Sequence, residues 1–161
     1  MHDLFNPASL GMLEDQQGAI AYGYVAPRVF YARFVGRLSA ELGTSYVHQL
    51  EAAVGEEPAL AYFADASALT QYDLIARTRF ARFVVNRRAK FASLVILTWA
   101  EGVSPAARAF AASLGGGVQV LTEPLDFERT LANVAPLPER WVTELPQVWQ
   151  VAVPSPPSLI Y

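Results

Sequence analysis

The run Ala59-Leu60-Ala61-Tyr62-Phe63-Ala64 is almost wholly apolar and stops at Asp65. A short segment of this kind fits a strand covered on both faces, as in a parallel sheet. A second such run, Leu94-Val95-Ile96-Leu97, lies in a strand expected over Phe91 to Trp99. Between them, Leu74 to about Lys90 reads as the longest helix, with Ala76, Phe80, Phe83 and Val84 tracking one side. A strand, a helix and a second strand in this order require a parallel pair with a right-handed crossover. This constraint rules out most all-β and all-α architectures.

The flanking segments extend the pattern. Residues 17–26 read as a first strand, weakened by two glycines and suited to a sheet edge. Arg28 to Arg37 reads as a second strand, and the short break at Ala26-Pro27 predicts that the two pair antiparallel. Ser39 is placed as an N-cap with Glu41 in the first turn. Leu42, Tyr46, Leu50 and Val54 then recur at helical spacing, and Gly55 is expected to stop the helix. Ser104-Pro105 marks another helix start, ended by Gly115-Gly116-Gly117. Val118 to Leu121 is a short strand, and a last helix is expected from about Leu125 to Val134, before Pro136. The predicted order is β-β-α-β-α-β-α-β-α: a mixed, mostly parallel α/β sheet of about five strands with four helices mostly on one face. A flavodoxin-like strand order stays open at this point.

Three segments follow: an N-terminal arm over 1–16, an α/β domain over 17–135, and an extended arm over 136–161. The last interleaves six prolines with Trp141, Val142, Val148, Trp149 and Val151, which forbids a long helix yet is too apolar for a disordered tail. It either packs on its own domain or reaches a second subunit or partner, and as a connector it would support a homo-oligomer.

Composition narrows the function. With 53% hydrophobic against 17% charged residues, some apolar surface is expected to meet a partner, a second copy or a ligand. No cysteine is present, and the two histidines, His2 and His48, are far apart in sequence, so a metal site has little to work with. No cofactor is implied. A net charge of −3 gives no general affinity for nucleic acid. The start of the chain does not read as a signal peptide, and no apolar run reaches the roughly 18 residues of a membrane span. A cytoplasmic protein without an integral membrane segment is the expectation.

The candidate site is the stretch Asp65 to Asp73, read as a polar loop between a parallel strand and the next helix, where ligands of open α/β sheets gather. Asp65, Ser67, Thr70, Gln71, Tyr72 and Asp73 project from it. The bland alternative is that Asp73 caps the helix while Asp65 and Ser67 satisfy loop amides. The following helix adds Arg77, Arg79 and Arg82. From Leu74 to Ala100 there are also Arg87, Arg88 and Lys90, and no acid to oppose them. These cations spread around the helix and suit either a solvated surface or a patch for an acidic partner, an anionic lipid surface or a phosphate-bearing ligand. Catalysis finds little support. Ser45 and His48 lie within one helical turn, yet no acid is placed to orient the imidazole and no Gly-x-Ser-x-Gly exists. Glu101 is an isolated acid, and Gly115–Gly117 follows a helix, the reverse of a phosphate loop.

Asp65 closing a strand, Asp73 eight residues later at a helix start, and Gly36-Arg37-Leu38 ending the preceding strand resemble the STAS domain, the fold of anti-sigma-factor antagonists. In that family an Asp-Ser pair opens the helix, and its Ser is phosphorylated to switch partner binding. Here the pair is Asp73-Leu74, so the frame is present and the phosphoacceptor is not. Ser67, Thr70 or Thr78 could accept a phosphate instead, and none stands out. The resemblance implies a non-catalytic module that binds a regulatory protein in a bacterial signalling assembly, through Asp65 to Arg82. Two other readings stand beside it. One is a carrier or sensor of a small apolar or lipid-like ligand, motivated by the apolar composition and by Phe30, Tyr31 and Phe34. The other is a structural subunit that uses 136–161 as its connector.

Overall fold

In a computed structural model of the protein, the described residues are 10–56, 59–98, 105, 108–109, 111–112 and 117–135. The chain runs β1 (Gly11–Glu14), β2 (Gly18–Ala26), β3 (Val29–Leu38), α1 (Ala40–Glu56), β4 (Leu60–Tyr72), α2 (Leu74–Asn86), a 3-10 turn (Arg88–Lys90), β5 (Phe91–Leu97), β6 (Val118–Leu121) and α3 (Pro124–Ala132). The strands form one six-stranded sheet in sequential order, β1-β2-β3-β4-β5-β6. β1, β2 and β3 pair antiparallel, and β3 through β6 pair parallel. The expected mixed, mostly parallel α/β architecture holds, and the sequential order sets aside the flavodoxin-like arrangement.

Both faces of the sheet are covered. On one, Leu42, Tyr46 and Leu50 of α1 and Phe83 and Val84 of α2 pack on Ile20, Phe30, Tyr62 and Leu94. On the other, Phe127 and Leu131 of α3 pack on Val29, Tyr31, Phe63 and Val95. The wholly apolar runs of β4 and β5 follow from this, because each side chain meets a covered face. Helices mostly on one face was therefore only partly right, since α3 lies on the other. The helix expected from Ser104-Pro105 falls largely outside the described residues, and so does the 136–161 arm.

Several expected boundaries are corrected. Residues 11–14 of the expected arm form β1, so β2 is not an edge strand and the sheet gains a sixth member. Gly55 does not stop α1, which continues to Glu56. The largest correction concerns the supposed 65–73 loop. β4 runs on through Tyr72, paired with β3 as far as Leu38↔Tyr72, and the Asp73 N–H donates to the Leu38 carbonyl at 2.8 Å. The register slips by one residue between Arg33 and Val35 and again between Gly36 and Arg37. Bulges of this kind let a strand of uneven polarity stay paired. β3 would otherwise leave a row of backbone groups without partners beyond Asp65↔Leu97, where the β4–β5 pairing ends.

Two local features lock this end of the sheet. Gly36 has φ +75°, and a Cβ there would stand 2.5 Å from the Gln17 carbonyl oxygen, so glycine is required. Ser39 caps α1 as expected, its Oγ accepting from the Leu42 N–H at 3.1 Å. The same hydroxyl donates to Asp15 Oδ2 at 2.6 Å, while Asp15 Oδ1 accepts from the Gln17 and Gly18 amides. Asp15 thereby ties the β1–β2 turn to the start of α1, and the Ser39 hydrogen bond lowers its carboxyl pKa.

Candidate functional site

The nine residues expected to form one site separate into an interior group and a surface group. Asp65 is buried in β4 at 9% exposure, opposite Arg33 on β3 and Leu97 on β5. Its carboxylate accepts from the Ser67 amide at 3.0 Å and from the Ser67 hydroxyl at 2.5 Å. Arg33 Nε stands 3.9 Å from Asp65 Oδ2, a loose ion pair with both side chains largely covered. Tyr31, two residues before Arg33 on the same face, is fully buried. Burial first, and the Asp65 carboxylate second, push its phenol pKa well above the usual value. Asp65 and Ser67 therefore hydrogen-bond each other, and the Asp65 side chain is largely covered. The sequence marks Asp65 as the end of an apolar run but gives no sign of its pairing with Arg33. The β3–β4 register would have revealed the pair.

Asp73 is the N-cap of α2, and its Oδ1 accepts from the Ile75 amide at 2.8 Å. The bland reading of Asp73 thus describes its contact. Such a cap exposes the first helical residues, because the chain has only just left the sheet. Leu74 is 70% and Ile75 53% exposed. Thr70 and Gln71, at the end of β4, are exposed as well. Leu74, Ile75, Thr78, Arg79 and Arg82 together line one shallow hollow on α2.

The basic residues of this region have distinct neighbours. Arg79 Nη1 donates to Thr44 Oγ1 of α1 at 2.6 Å. Arg87 pairs with Glu51 of α1 at 3.4 Å across exposed surface. Arg88 donates to the Phe91 carbonyl at 3.1 Å. Arg77 lies 5.9 Å from the centroid of the Tyr72 ring. Arg82 forms no ion pair among the described residues and shares with Arg79 a second groove, between α1 and α2, that also holds Thr44 and His48. No carboxylate is among the described residues lining either depression. Arg79 and Arg82 thus face outward as a cationic pair beside two exposed aliphatic side chains. Leu74, Ile75 and Thr78 lie within the expected Asp65–Arg82 surface but were not singled out as its contact residues. Their signal was Leu-Ile directly after a capping Asp, in a turn that precedes the first buried helical residue, Ala76.

Among the described residues, no group of three His, Asp or Glu side chains could hold a metal, and no helix is long and apolar enough to cross a membrane. Ser45 and His48 are both exposed on α1.

No protein-family model and no curated protein matches the chain at a significant level. Among solved structures, the chain is similar to an uncharacterized protein of the DUF3478 family from Shewanella loihica PV-4, described as having a SpoIIAA-like fold. The superposition has a TM-score of 0.54 at 18% identity and covers 76% of this chain and 92% of that one. The fold is SpoIIAA-like. This is the STAS-like architecture that Gly36, Asp65 and Asp73 pointed to, reached here by comparison of backbones. At this identity the likeness extends to the fold alone.

Proposed function

We propose that this STAS-like domain is a non-catalytic interaction module. It binds a regulatory protein, in a bacterial signalling assembly, through the end of β4 and the first turns of α2. The observation that carries the reading is the exposure of Leu74 and Ile75, 70% and 53%, at the helix start where the family places its phosphoacceptor. Large aliphatic side chains held in water at a helix start gain by being covered, at about 25 cal/mol for each Å² of apolar area removed from water. Thr70, Gln71 and Thr78 supply a polar rim, and Arg79 and Arg82 add positive charge on one flank. The partner face that fits is an apolar patch bordered by carboxylates.

The switch differs from the family pattern. Leu74 cannot be phosphorylated, so binding at this position is constitutive unless Thr70 or Thr78 takes up the regulatory role. Arg77 and Tyr72 lie at the edge of the face, whereas Asp65, paired with Arg33, belongs to the opposite side of the sheet with Tyr31 and Phe63. Asp73 shapes the face by capping α2 and is a poor probe of binding, because its replacement disturbs the helix start.

The test is the affinity of the partner that co-purifies with the protein for two surface variants. Ile75→Glu is expected to weaken the complex at least tenfold, and Arg82→Glu severalfold with a reduced salt dependence. Both should leave the folded circular-dichroism spectrum unchanged. Unchanged affinity in both variants would remove this face as the interface.

A further inference from the structure

Behind α2 lies a cavity of about 130 Å³, open on one side, between the sheet and the first turns of α1 and α2. Its floor is Ala64, Ala66 and Ile96, and its walls include Phe34, Tyr46 and Phe80. Small residues create the space. Gly43 fixes its width, because a Cβ there would stand 2.6 Å from the Ala76 Cβ, so α1 and α2 already touch at this end. The void therefore does not close by drawing the helices together.

Water in such a space finds few polar partners, and an apolar occupant is favoured. Its size sets the occupant. A cavity of about 150 Å³ lined by aliphatic and aromatic side chains accommodates benzene, a six-carbon body. Long acyl chains exceed this volume. Arg77 is the charged residue among the described lining residues; it is exposed, and its guanidinium lies beside the Tyr72 ring. No carboxylate of the described residues pairs with it. A guanidinium at the edge of an apolar pocket supplies fork-like donors to a carboxylate.

We infer that this cavity is a binding site for a compact apolar carboxylate, with a body of about six carbons in the cavity and its carboxylate on Arg77. The site is separate from the Leu74–Ile75 face, although both use α2. It gives the apolar-ligand reading a definite place and restricts it to small molecules.

Calorimetric titration of the full chain with hexanoate, hexan-1-ol and palmitate tests the assignment. Hexanoate is expected to bind one to one and roughly tenfold more tightly than hexan-1-ol, the worth of one charge-assisted contact at a part-exposed edge. Arg77→Gln, a surface substitution, should bring hexanoate down to the affinity of hexan-1-ol. Ala81→Leu, which projects new volume into the same space from α2, should abolish binding of both. Ile75→Glu should leave hexanoate binding unchanged, which separates this site from the partner face. The assignment is overturned if hexan-1-ol binds as tightly as hexanoate, if Arg77→Gln keeps the preference for the acid, or if palmitate binds best. Failure of all three probes to bind the wild-type chain overturns it as well.

Discussion

The hydroxyls of Tyr46 on α1 and Tyr62 on β4 lie 2.7 Å apart, and the two residues are 1% and 0% exposed. One phenol donates and the other accepts, within a cluster of aromatic rings that includes Phe30 and Phe34. Replacing either residue with Phe keeps the ring and strands the remaining hydroxyl away from water. Leaving a buried polar group unpaired costs about 1–3 kcal/mol. Replacing both removes the pair together, and no hydroxyl is stranded. Each single variant should therefore lose about 1–2 kcal/mol, and the double variant should lose no more than the worse single. The implied coupling is about 1–2 kcal/mol, read from urea denaturation midpoints at neutral pH with an unchanged slope. Additive single losses would refute the claim that these hydroxyls satisfy each other across the α1–sheet interface.

Burial raises the pKa of Tyr31, Tyr46 and Tyr62 above the ordinary phenol value. The unfolded chain then ionises first as pH rises past about 10, so the stability held below that pH is lost above it, with a limiting slope of about 4 kcal/mol per pH unit for three such groups. Tyr31→Phe should reduce that slope by about a third, measured by denaturation between pH 9 and 11. Asp73→Ala removes the α2 cap and should cost about 1 kcal/mol, seen as a lower thermal midpoint. Gly36→Ala places a Cβ 2.5 Å from the Gln17 carbonyl oxygen at φ +75° and should cost at least about 1–3 kcal/mol by the same assay.

What the sequence revealed follows where one physical signal acted alone. β3, α1 and α2 were legible because their apolar residues repeat with one clear period, and Ser39 was legible as a cap. β5 and the start of β4 were legible because they are covered on both faces. The second half of β4 was hidden: Ser67, Thr70 and Gln71 read as loop residues, and only the need to pair β3 keeps them in the sheet. β1 was hidden for a related reason, since four residues with exposed Met12 and Glu14 carry little pattern beyond Leu13. At the candidate site, the residues were visible but their directions were not. Asp65 looked exposed because it ends an apolar run, yet the parallel register sets it opposite Arg33. Leu74 stood out only as the residue in place of the phosphoacceptor, and its exposure with Ile75 beyond the Asp73 cap was not visible. Placement of this kind comes from tertiary geometry, which composition and spacing do not encode locally.

The central claim is that the Leu74–Ile75 face holds a protein partner. It is tested most directly by native mass spectrometry of the protein, purified gently from its own cells, alongside a Leu74→Asp, Ile75→Glu double variant handled identically. The account predicts a second protein in defined stoichiometry with the wild-type chain and its loss from the variant, which remains folded. A partner retained undiminished by the variant, or a wild-type chain that carries only a small molecule, would contradict it.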